Sequence, residues 1–181
     1  MVPFEVNLDL QLKQIYKIML SQSFIAEINY EAALTKRILE RVPEEHFDWK
    51  PHEKSMTLGR LATHTAELLG FLHSILTMEE FDFAKGHYKP AFANTPEELM
   101  NVFQQKLDEV IESLQNMNDE KMQTNFTLRS GEHIFSTIPR SAAIRPMALN
   151  HIIHHRGQMT VYLRLLNIPV PGLYGPSADE K

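Results

Sequence analysis

Asn150-His151-Ile152-Ile153-His154-His155-Arg156-Gly157-Gln158 lies inside a segment, Ala142 to Leu166, that reads as one long helix. His151 and His155 are four residues apart, so a helix stacks their side chains on one face. At roughly 100° per residue, Ile144, Met147, Ala148, Met159, Tyr162, Leu165 and Leu166 define an apolar arc. His151 and His155 flank its centre, and His154 falls near its edge. Two imidazoles turned toward a core need partners, because an unsatisfied buried donor costs about 1–3 kcal/mol. One metal ion satisfies both rings. Carboxylates, carbonyls or water do so too, and for a lone H-x-x-x-H that is the commoner outcome.

Upstream, the apolar spacing predicts three more helices. Phe24, Ile28, Thr35, Ile38, Leu39 and Val42 place one over Ser21–Val42, stopped by Pro43. A second starts at a Ser55 or Thr57 cap and runs to about Met78, with Leu58, Leu61, His64, Thr65, Leu68, Phe71, Leu72 and Ile75 along one stripe. Glu67, one turn beyond His64, fits either a hydrogen-bond partner for that ring or a base. His73 lies off the stripe and reads as surface, and His46 and His52 fall in the connection around Trp49. Thr95-Pro96-Glu97-Glu98 is a capping box that opens a third helix ending near Asn116 or Asn118. Phe81 to Asn94 reads as a long loop, of the kind that covers sites. Around Ser130-Gly131, two β-prone runs predict a hairpin over Phe126–Ile138, with His133 exposed beside its turn. Ser141 is placed to cap the last helix. Pro146 either bends its first turn or moves the true start toward Arg145. The tail from Ile168 to Ser177 is irregular and apolar enough to pack back on the helices. Residues 4–12 alternate apolar and polar like a strand. The fold class expected is all-α: a four-helix bundle with a small β-hairpin before the last helix. Bundles build metal sites from side chains on facing helices, which makes His64 the natural companion of His151 and His155.

Composition narrows the function. The chain has 181 residues, 43 % of them hydrophobic, which is enough for one packed domain. A net charge of −5 with no basic run argues against nucleic-acid binding. There is no cysteine, so thiolate metal sites, disulfides and a cysteine nucleophile are excluded. Neither a secretory leader nor a run of about 18 apolar residues is present, so a cytoplasmic protein without a membrane partner is expected.

Two separated motifs resemble a known family. Trp49-Lys50-Pro51-His52-Glu53-Lys54-Ser55-Met56-Thr57-Leu58-Gly59-Arg60-Leu61-Ala62-Thr63-His64 is similar to the second-helix signature of DinB-like (DinB/YfiT) proteins. Asn150 to Gln158, with Tyr162-Leu163-Arg164 and the tail through Ser177, is similar to that family's last helix and C-terminus. The likeness runs from about residue 21 to 181 and leaves residues 1–20 outside as an N-terminal arm. It implies a four-helix bundle, usually dimeric, that binds a divalent metal through three histidines, here His64, His151 and His155. It also implies a small-molecule substrate. Relatives include S-transferases that use bacillithiol or a similar low-molecular-weight thiol, and metal-dependent hydrolases.

Three neutral imidazoles suit zinc or nickel, and also iron or manganese. Three protein ligands leave a coordination position open, as catalytic sites do. Water there leads to hydrolysis, and a thiol leads to S-transfer. With no cysteine, the chain needs a thiol cofactor for the second route. A metal-binding or structural helical dimer without catalysis is the alternative class. The sequence names neither a catalytic base nor a substrate.

Overall fold

The computed structural model describes residues 20–180, so the alternating segment at 4–12 lies outside the described residues. Four long helices carry the chain: α1 (Leu20–Leu39), α2 (Leu58–Thr77), α3 (Pro96–Gln115) and α6 (Asn150–Leu165). Single-turn helices α4 (Asp119–Met122) and α5 (Arg140–Ala143) flank the strands β2 (Asn125–Ser130) and β3 (His133–Pro139). The helix boundaries follow local chemistry. Thr57 Oγ1 accepts the Arg60 N–H and caps α2. Thr95 Oγ1 accepts the Glu98 N–H to start α3, and Glu98 reaches back to the Asn94 N–H, one residue short of a strict capping box. Helix α2 packs between α3 and α6, and α1 packs against the same two, so α1 and α2 lie across the bundle from each other. Phe24, Ile28, Leu61, Leu69, Leu72, Phe103, Val110, Ile152 and Met159 fill the space between them. No helix among the described residues is long and apolar enough to cross a membrane.

The expected hairpin forms, with Gly131 at φ +58° in its turn. It carries a third strand, β1 (Glu80–Asp82), paired in parallel with β2 at the edge. The segment expected to be wholly loop therefore begins with a strand and a 3₁₀ turn at Phe83–Lys85. Three residues are too few to show a period, and the pairing partner lies more than forty residues on. Buried Asp82 pins this corner: its Oδ1 accepts the Gly131 and Ala84 N–H groups, each at 2.9 Å. Two local expectations fail. The last helical segment starts at Arg140 with no side-chain cap, so Ser141 does not cap it. His73 is half-buried between α2 and α3, where its Nδ1 meets Ser113 Oγ at 2.9 Å.

The last segment is not one continuous α-helix. Ile144–Leu149 forms a π turn, which adds a residue per turn and accommodates Pro146, whose nitrogen has no hydrogen to donate. The extra residue rotates the helical phase. Inward positions therefore run Ile144, Ala148, Leu149 and Ile152, and then His155, Arg156, Met159 and Leu163. Leu165, expected in the core, is 57 % exposed, and Leu163 takes its place.

Arg156, 1 % exposed, is the largest charged group in the core. Its Nη1 donates to the Glu31 carbonyl at 2.9 Å and to Thr35 Oγ1 at 3.1 Å, and its Nη2 donates to Glu31 Oε2 at 2.6 Å. The Tyr174 hydroxyl also donates to Glu31 Oε2, at 2.7 Å, and meets Arg156 Nη2. That phenol anchors the C-terminal tail, as expected, with Arg37 holding the Gly172 carbonyl and the Glu180 carboxylate. Removing one member of a buried pair strands the other charge. Glu31→Ala should therefore cost about 3–5 kcal/mol in urea unfolding. Truncating the exposed pair Arg145–Glu27 should cost less than about 1 kcal/mol.

Candidate metal centre

Side-by-side packing of α2 and α6 brings three imidazoles together. The ring centroids are 5.4 Å apart for His64–His151, 4.8 Å for His64–His155 and 4.6 Å for His151–His155. One ligand nitrogen from each lies within 4.8 Å of the others. No other group of three potential ligands is this close among the described residues. His154 is exposed on the outer side, its ring 5.0 Å from His155, and takes no part.

Hydrogen bonds set which nitrogens face inward. Glu67 is held ionised, its carboxyl at about 2, well below the usual range: burial opposes this, but hydrogen bonds from His64, Arg60, Ala91 and Tyr88 outweigh it. An ionised carboxylate only accepts, so His64 Nδ1 carries the hydrogen in its 2.6 Å bond to Glu67 Oε1. In a neutral ring so bonded, Nε2 is the nitrogen with the free lone pair. His155 repeats the pattern through Nδ1 and Gln158 Oε1 at 2.8 Å. Its Nε2 is buried without a hydrogen-bond partner. A naked acceptor inside a ring of imidazoles is a cost that a cation removes. Burial, first, and then the neighbouring imidazoles push His151 down to about 4 and lower His155 as well. Neutral rings are the form that ligates metal. The donor set thus fits a divalent ion, and His64, His151 and His155 are the residues that would hold it.

Both oxygens of Glu67 are occupied by donors. Its Oε1 accepts from His64, from Arg60 Nη2 at 2.7 Å and from the Tyr88 hydroxyl at 2.8 Å, while Oε2 accepts the Ala91 N–H at 2.6 Å. A carboxylate so occupied orients a ligand ring. Sequence spacing carries part of this arrangement. Arg60, His64 and Glu67 stand at i, i+4 and i+7 on one face of α2. Tyr88 and Ala91 carried no such signal, because they arrive from a loop.

That loop forms one wall of a cleft of about 450 Å³ that ends on His64 and His151. Leu68, Phe71, Phe81, Phe83 and Tyr88 supply most of its surface, and Lys89 and Lys106 stand on its walls. The volume and mixed lining suit a small molecule. His87 also lines it, with Nδ1 accepting the Asp82 N–H at 3.0 Å.

Two outcomes test this centre. Glu67→Gln should weaken zinc binding about 10–100-fold by competitive chelator titration, since the charge that orients His64 is lost. The metal-free protein should lose thermal stability as pH falls from about 6.5 toward 4. In that window an unfolded histidine takes up a proton, whereas folded His151 does so only near about 4, so acid favours unfolding. His151→Gln should flatten that part of the melting-temperature profile.

Comparison with known proteins agrees with the geometry. The sequence model of the DinB family matches residues 17–181. The uncharacterized protein YrdA of Bacillus subtilis (strain 168) is 26 % identical over 157 residues, covering 87 % of this chain and 89 % of its own. YjoA of the same organism is 25 % identical over 135 residues, covering 72 % and 80 %. Two crystal structures share the fold. One is a DinB-like protein from Bacillus cereus ATCC 10987, with a TM-score of 0.66 at 23 % identity, over 84 % of this chain and 97 % of that one. The other is B. subtilis YjoA, with a TM-score of 0.66 at 17 % identity, over 86 % and 99 %. At these identities the two structures speak for the fold alone. The family match spans all the described helices and the histidine cluster, and the chain belongs to the DinB family.

Proposed function

We propose that this protein is a divalent-metal enzyme that transfers a low-molecular-weight thiol of the bacillithiol type to small electrophiles. The observation that carries the reading is the buried, unpartnered Nε2 of His155, set against His64 and His151, which line the cleft. Bound there, zinc or nickel supplies a Lewis acid that lowers the pKa of an incoming thiol. The chain's own residues then hold and orient. Glu67 fixes His64, Gln158 fixes His155, and aromatic rings line the cleft beside them.

The surroundings favour S-transfer over hydrolysis. Hydrolysis gains from a protein base beside the attacked bond. Among the described residues, the only carboxylate lining the cleft is Glu67, and four donors occupy it. His87, with Nδ1 already accepting, presents N–H at its other nitrogen. Thiol transfer needs no such base once a metal has activated the thiol. The absence of cysteine means that the thiol arrives as a separate molecule. A homodimer is part of this proposal and rests on the family likeness.

Two measurements test it. Purified protein should carry about one divalent ion per chain, and His155→Ala should lose it while remaining folded. Turnover of monochlorobimane should rise with added bacillithiol and vanish on chelation. Rates unaffected by thiol would remove S-transfer, and protein that carries no stoichiometric metal would remove the enzyme reading altogether.

A further inference from the structure

The metal centre does not identify the molecule brought to it, but the cleft walls narrow the choice. On one side, Phe71, Phe81 and Phe83 succeed one another edge to face, with centroids 5.1 and 5.3 Å apart. Phe83 and Tyr88, at the open end, are 44 % and 42 % exposed, and their rings lie 6.4 Å apart. Large apolar rings left uncovered at the mouth of a cleft gain by being covered, at about 25 cal/mol per Å². Flat ring surfaces favour a flat partner, with about 0.5–1.5 kcal/mol beyond area burial for each aromatic contact.

Charge selects further. Aromatic faces also attract cations, but the surrounding groups set the sign here. Lys106 lines the wall and is neutralised by Glu109 at 2.8 Å. Lys89 lines it with no ion pair among the described residues. Glu67, the one acid, has both oxygens occupied. A cationic group would therefore meet Lys89 and a bound divalent ion, with no free anion in reach. Resting on the metal-enzyme reading above, we infer that the substrate held in this cleft is a small molecule with a flat aromatic portion, neutral or anionic and not cationic.

Isothermal titration of the zinc-loaded protein tests this with 2-naphthamide, naphthalene-2-sulfonate, 2-naphthylmethylammonium and hexane-1-sulfonate. The amide and the naphthalene sulfonate should bind about tenfold more tightly than the ammonium compound and than the aliphatic sulfonate. Phe83→Ala should weaken both favoured probes about three- to tenfold. Phe92→Ala, which removes a ring 76 % exposed and outside the cleft lining, should leave them unchanged. Equal binding of the ammonium or aliphatic probe overturns the inference whatever the variants do, as does indifference to Phe83→Ala. The zinc content of the same samples separates the two readings. A chain that takes up no zinc overturns the metal enzyme and this substrate class with it. A zinc-bearing chain that fails to rank the probes overturns the substrate class alone.

Discussion

Four hydrogen bonds end on the Glu67 carboxylate, and they tie together parts of the molecule far apart in sequence. His64 and Arg60 come from the same helix, while Tyr88 and the Ala91 N–H come from the loop that walls the cleft. A carboxylate 8 % exposed is costly to ionise without partners. Here the partners more than offset that cost, and the charge becomes a fixed point for ring and loop alike. The tautomer of His64, and hence the nitrogen it presents to a cation, follows from that charge.

The bundle holds its two charged interior networks apart. Arg156 and Glu31 join α6 to α1 on one side of α6, while His151 and His155 face α2 on another. Residues 155 and 156 are neighbours in sequence, so one turn of α6 serves both. A guanidinium within the histidine cluster would oppose a cation there. Pairing it with Glu31 and Tyr174 keeps its charge directed to the opposite helix and the tail.

Much of this was legible in the sequence, and what was missed has a common cause. The H-x-x-x-H pair, His64 in an apolar stripe, the Thr95 cap and the Ser130-Gly131 turn are local patterns, and each forms where its spacing places it. The failures are non-local. Strand β1 exists only because β2 arrives beside it. His73 is half-buried only because α3 brings Ser113 to it. Nothing local to Arg156 in the sequence points to Glu31, which faces it across the bundle. The wheel drawn through Ile144 to Leu166 failed for a different reason. It assumed one uninterrupted α-helix, and the π turn around Pro146 changes the phase midway. His155 and Met159 still face inward because they lie on the side of the arc toward which the phase turns, whereas Leu165, on the opposite edge, points to solvent.

The shared carboxylate has a consequence for how the site works as a unit. Tyr88 and Ala91 position the cleft wall by bonding to the carboxylate that holds the His64 ring, Tyr88 at the same Oε1 and Ala91 at Oε2. A shift of the loop that lengthens those bonds changes the charge density His64 feels at Nδ1, and with it the donor strength of Nε2. The reverse would hold too: a cation on Nε2 would polarise Nδ1–H and strengthen its bond to Glu67 Oε1, and because the Tyr88 hydroxyl shares that oxygen, its bond would weaken in turn. Coupling of this kind is reciprocal by thermodynamic necessity. Cleft wall and histidine cluster are therefore joined through one carboxylate.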